Sequence, residues 1–169
     1  VGGTGTSAGS GGNIQLLSTV DGNSAGTRSL TLTAGAGDVT VGGAIGATNS
    51  LSALTITGND ISLASIGGMS AGVSAATSVT SADSGVDIGS IQTNGVIRTT
   101  GPQSYGGTGI TSFGGDVIAV DNDITVNNAA AISANATIDC GTATATFSSS
   151  LDIGAHTRVI AADEMVFSA

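Results

Sequence analysis

The chain has 169 residues, 28 of them glycine, with four aromatics, one cysteine, one histidine, and a formal charge of −9 from twelve acids against three arginines. Nucleic acids and anionic membranes are held by clustered Lys and Arg, which this chain lacks, so both partner classes are excluded. Cys140 alone permits no internal disulfide, a chain without Lys has no Walker lysine, and a single Cys with a single His excludes a structural zinc site.

Hydrophobic residues make up 40% of the chain, and its mean hydropathy is positive, unlike a disordered segment. With so few bulky aromatics the interior must be thin. Stacked rows of Val, Ile, Leu and Ala suit it better than the thick core of a globule. The apolar residues alternate with polar ones, which is the strand period.

Residues 1–12, VGGTGTSAGSGG, read as a Gly/Ser-rich lead-in or linker. Alternation starts at Asn13 with NIQLLSTV and is broken by a turn at Asp21–Asn23. Then one phrase is written twice, LTLTAGAGDVTVGGAIGATNSLSA followed by LTITGNDISLASIGG. Leu30 and Leu54 start the copies 24 residues apart, and Asp38 and Asp60 lie 22 apart. A repeat of this length made only of strands and turns marks a β-solenoid, in which each coil stacks on the last.

Residues 69–85 are richer in Ala, Ser and Thr and read as a loop excursion or a thinly packed coil. VDIGSIQT (86–93), a tight Asn94–Gly95 turn and VIRTT (96–100) restore the strand pattern. GPQSYGGTGITSFGG (101–115) holds the sole Pro, the Tyr and one Phe, and reads as a bulge or surface loop. Strand patterns then follow at 116–126, 130–140, 142–149, 150–155, 157–162 and 164–169. The last one lacks a polar cap, so that end is expected to meet further coils or another subunit. The fold expected is all-β, a parallel β-helix of six or seven coils of 20–24 residues over 13–169, with little or no helix. At about 4.8 Å per coil this is a rod on the order of 30 Å long.

Six of the eleven Asp residues directly precede a Val or Ile: Asp38, Asp60, Asp87, Asp116, Asp123 and Asp152. An Asp side chain accepts N–H groups two residues on and so shapes the entry to a strand, which marks these as structural turn residues. Asp121 and Asp123 are the only weak candidates for an incidental Ca²⁺. Val126 stands where an EF-hand loop needs Gly, and no calcium-binding nonapeptide recurs. Cys140 reads as a small apolar residue on a strand and His156 as a solvated turn residue. The arginines and aromatics are scattered and His156 is the sole histidine, so no catalytic or cofactor-binding set emerges. Asn135-Ala136-Thr137 matches a glycosylation sequon.

Thr pairs in TLT (31–33), TIT (55–57) and TATAT (142–146) would form a flat ice-binding face if stacked in register. The 24-residue offset of the first two permits this, but DVTV, DISL and DITV carry one Thr or none. On that comparison the Thr rows predict no special face.

LTLTAGAGDVTVGGAIGATNSLSALTITGNDISL and TTGPQSYGGTGITSFGGDVIAVDNDITV resemble the repeats of filamentous-haemagglutinin-like and autotransporter-like bacterial surface exoproteins. The likeness covers about residues 13–126 closely and 127–169 loosely. It implies a parallel β-helical passenger exported to the cell surface, with a part in adhesion, aggregation or biofilm. A start at Val1 and the lack of a signal peptide, barrel or cap suggest a segment of a longer protein or a processed subunit. Two functions are expected on this basis. One is an adhesive stalk that binds host or neighbouring-cell surfaces through loops such as 69–85 and 101–115. The other is a filament or surface-layer subunit whose partner is its own kind.

Overall fold

In the computed structural model, residues 11–85, 87–156 and 158–168 are described; most of the predicted lead-in, residues 1–10, lies outside them. The described residues contain strands, turns and no helix. All the strands pair in parallel, and they wind into a β-solenoid of seven coils.

The first coil holds β1 (Ile14–Leu16) and β2 (Ser29–Thr33), the second β3 (Val39–Ile45) and β4 (Ala53–Gly58), and the third β5 (Ile61–Ile66) and β6 (Thr77–Ser81). The fourth coil has three strands, β7 (Ile91–Thr93), β8 (Ile97–Thr99) and β9 (Gln103–Gly107). The fifth has β10 (Ile110–Phe113), β11 (Val117–Ala119) and β12 (Ile124–Val126). The sixth has β13 (Ala129–Ile132), β14 (Ala136–Asp139) and β15 (Thr144–Phe147), and the seventh β16 (Leu151–Asp152), β17 (Arg158–Ala161) and β18 (Glu164–Phe167).

Three faces result. β7, β10, β13 and β16 stack on the first half of β5, whereas β8, β11, β14 and β17 stack on its second half. In coils two and three one strand therefore bends through a corner that Asn94–Gly95 breaks open in coil four. The third face is a separate sheet in the order β2-β4-β6-β9-β12-β15-β18.

Register places apolar residues in interior rows. Leu32, Ile56, Val79, Tyr105, Val126 and Phe147 stand one above the next on the third face and are all buried. Val39, Ile61 and Ile91 do the same on the first face. Burial of one such side chain is worth about 1.5–3 kcal/mol. From the second coil to the sixth such rows, together with buried Thr77, Thr93, Thr99 and Thr111, fill the interior, which is why so little aromatic bulk suffices.

Coil length is less even than the repeat suggested. Ile14 pairs with Val39, Val39 with Ile61 and Ile61 with Ile91, offsets of 25, 22 and 30 residues. Ile91–Thr111, Thr111–Ala130 and Ala130–Leu151 are offsets of 20, 19 and 21. The longest results from an excursion between β6 and β7, where Asp83 and Ile88 form an isolated antiparallel bridge.

That excursion corrects the strand expected over 86–93. Only Ile91–Thr93 is β7, and Ile88 is 64% exposed. Residues 69–85 contain both expected alternatives. Met69 projects into solvent, Val73 bridges Leu51 and Thr99, and β6 completes a coil.

Residues 101–115 are not a surface loop. They form β9 and β10, and Tyr105 and Phe113 are buried edge to face with ring centroids 5.1 Å apart. The apolar bodies of the rings fill the centre of the rod. The Tyr105 hydroxyl finds a partner there, donating to Gln103 Oε1 at 2.8 Å. Gln103 Nε2 in turn donates to Thr99 Oγ1 at 3.0 Å and to the Ile118 carbonyl at 2.8 Å. A polar segment goes inside only when it carries its own hydrogen bonds with it.

Candidate functional site

The corner carboxylates work mainly between coils. Asp38 Oδ1 accepts from the Asp60 backbone N–H at 3.2 Å, and Asp60 Oδ1 accepts from Ser90 N–H at 2.9 Å and Ser90 Oγ at 2.7 Å. Asp116 takes the Thr137 N–H at 2.7 Å, and Asp123 takes the Thr144 N–H at 3.1 Å. Each of these four precedes a strand, and each reaches 21 to 30 residues forward instead of two. The bond is kept whether the coil between is 21 or 30 residues long, so each carboxylate ties one corner to the next.

Asp152 and Asp87 differ from these four. Asp152 ends β16 and accepts from Gly154 N–H at 2.8 Å, two residues on. Asp87 lies in the excursion, where its N–H donates to Ser84 Oγ at 3.0 Å and no strand follows directly. The pattern of Asp before Val or Ile is the same in every case; only stacking tells which coil the carboxylate meets.

Asp121 and Asp123, the Ca²⁺ candidates, both serve the sixth coil. Asp121 Oδ1 accepts from the N–H and the hydroxyl of Thr142, each at 3.2 Å, and Asp121 adopts φ +51°. Among the described residues no group of three or more His, Cys, Asp or Glu converges on one point. Cys140 is buried just after β14, its Sγ pointing at the Ala143 carbonyl at 3.4 Å. Burial, then the nearby Asp139 and Asp123 carboxylates, push its thiol above the ordinary value, away from the thiolate form. His156 is exposed at a bend. A shallow depression of about 350 Å³ is lined by Asp116, Asn135, Ala136, Thr137 and Val159, and the Asp116 carboxylate there is already bonded to Thr137.

The outer surface of the third face is the most ordered chemical feature of the molecule. Thr31, Thr55, Ser78, Ser104, Thr125 and Thr146 stand in one column by direct strand register. Thr33, Thr57, Thr80 and Gly106 begin a second column, which Asn127 and Ser148 continue. The hydroxyls of Thr31, Thr33, Thr55, Thr57 and Thr80 make no hydrogen bond among the described residues. None of the twelve positions is charged or aromatic.

The expectation of no special face rested in part on strands that do not follow TLT and TIT; of TATAT, Thr146 joins the first column and Thr144 stands beside Asp123, outside both. DVTV and DISL belong to the first face, so they were the wrong strands to compare with TLT and TIT. The strands that do follow on the third face are TSVTS, QSYGG, ITV and TATF, and all but Gly106 keep a polar side chain in line. The other faces lack this array. The first face presents a single column that includes Gln15 and Gln92, and the second carries Arg98 and Asp139.

No protein-family model, curated protein or solved structure matches the chain.

Proposed function

We propose that this chain is a rod-forming stalk or adhesive segment of a secreted bacterial cell-surface protein, of the filamentous-haemagglutinin-like or autotransporter-like kind. The observation that supports this most is the unbroken stack of seven parallel coils, whose interior rows run the length of the molecule. Each coil adds about 4.8 Å to the rod. Contact with another surface falls to the excursions, where Met69 is fully exposed and Ile88 largely so, and not to 101–115, whose rings are buried. Immunogold electron microscopy of intact cells producing the parent protein tests the proposal. Label along thin rods projecting from the envelope is expected; label confined to the cell interior overturns it.

A second reading is favoured by the seventh coil. Met165 and Phe167 continue the Ala145 and Phe147 rows, yet they are 47% and 56% exposed. Stacking of one copy on another would cover them and pair β16, β17 and β18. Negative-stain microscopy of the purified chain should then show filaments that Phe167→Asp shortens to single rods. Uniform single rods from the unaltered chain would remove this second reading.

A further inference from the structure

The two-column hydroxyl array has a use that a stalk or a filament does not require. We propose that the outer face of the sheet β2-β4-β6-β9-β12-β15 binds the surface of ice.

Parallel pairing sets the repeat across the coils at about 4.8 Å, and alternate residues along a strand repeat at about 6.6 Å. Both repeats are of the order of the oxygen spacings on the exposed planes of hexagonal ice. A column-by-column match is possible only because Thr31 lies on Thr55 and Thr33 on Thr57 without slippage. Thr is suited to the task for two reasons. Its β-branch restricts rotation about χ1, so hydroxyls in successive coils point alike. Its methyl group leaves water beside each hydroxyl with few competing partners.

The buried row of Leu32, Ile56, Val79 and Tyr105 directly beneath holds the strands rigid. Charge decides against other occupants. A carboxylate or ammonium holds its own hydration shell, and the first four coils present neither in either column. A sugar-binding platform would expose aromatic rings, but Tyr105 and Phe147 face inward. The inference stands on register and side-chain chemistry and does not rest on the cell-surface reading.

Growth of an ice hemisphere from a dilute solution of the purified chain tests it, together with thermal hysteresis measured on single ice crystals. The unaltered chain should enter the ice and separate the freezing point from the melting point. Thr55→Lys and Thr80→Lys, at exposed positions where a long side chain reaches water, should each lose both effects. Ser62→Lys, on the outer side of the first face, should keep them. Circular dichroism and melting temperature establish that the variants are folded. Should a Lys variant fail to fold, Thr55→Ser with Thr80→Ser, which removes only methyl groups, serves in its place and should weaken both effects. Exclusion of the unaltered chain from ice, as complete as for a globular control protein, overturns the proposal. So does a folded Thr55→Lys variant that enters ice unchanged, or retention on crystalline chitin or cellulose without entry into ice.

Discussion

The carboxylate of Asp38 accepts the backbone N–H of Asp60, 3.2 Å away and one coil further along. Asp60 repeats the act on Ser90, and below them Asn13 Oδ1 takes the Asp38 N–H at 3.0 Å. A ladder of side-chain acceptors thus climbs one corner of the rod, satisfying N–H groups that the strands leave unpaired there. Hydrogen bonds to a charged group contribute about 1.5–3 kcal/mol, less where water screens them. Asp60→Ala should therefore destabilise the chain by about 1–2 kcal/mol. Asp60→Asn, which keeps the acceptor oxygen, should cost less than half of that. Urea midpoints of the three proteins compare them, and equal losses for Ala and Asn would show that charge, not the acceptor, matters.

Gly46 has φ +69° at the second corner, and a β-carbon there would meet the Gly72 carbonyl of the next coil. The left-handed backbone alone costs a non-glycine residue about 1–3 kcal/mol. Gly46→Ala should lower stability by at least that amount, whereas Gly12→Ala, with open space around it, should be near neutral. Thermal melts of both variants give the comparison.

Phe147 is buried and stacks on Phe167 at a centroid distance of 5.7 Å, but Phe167 is 56% exposed. Truncation of a buried Phe costs about 3–5 kcal/mol through lost contact and the cavity left behind. Phe147→Ala should fall in that range and Phe167→Ala should cost about 1 kcal/mol or less. Chemical denaturation with a shared slope would measure both.

Thr93 is wholly buried between Leu63 and Phe113 in register, and its hydroxyl has no partner among the described residues. An unsatisfied buried hydroxyl costs about 1–3 kcal/mol. Thr93→Val, equal in shape, should raise stability by about 1 kcal/mol. A loss of stability would mean that the hydroxyl is satisfied in solution.

Burial raises the pKa of Tyr105 above the ordinary value of 10.0. The neutral phenol is thus favoured in the folded chain, while the unfolded chain releases its proton near pH 10.0. Above that pH the unfolded state binds fewer protons than the folded one, so stability falls as pH rises. Below it the contribution is fully present. The expected slope is about 1.4 kcal/mol per pH unit. Denaturant midpoints on either side of pH 10.0 should show the fall, and Tyr105→Phe should flatten it.

Strand content, the parallel solenoid and the first stacked pair were legible because local rules govern them. Alternation sends Leu30, Leu32, Leu54 and Ile56 to one side of a strand, and turns of Gly, Asn and Asp bound each run. Residues 101–115 misled because Pro, Gly and aromatics in a row are loop signals. Stacking of β9 on β6 puts that segment inside, where Gln103 bonds Thr99 on β8 and the Ile118 carbonyl on β11.

The sequence alone settles the repetition of short strands and turns, the thinness of the core and the scarcity of charge, because these follow from residue type and spacing along one chain. Which strand lies on which does not follow from spacing, since loops make the coils 19 to 30 residues long. Only the tertiary structure decides that Asp38 meets Asp60. Only it decides that Thr33, Thr57 and Thr80 share a column while the Thr40 strand turns to another face. The reason is physical: the hydrogen bonds that set register run between coils, and each coil takes its place from the one beneath it.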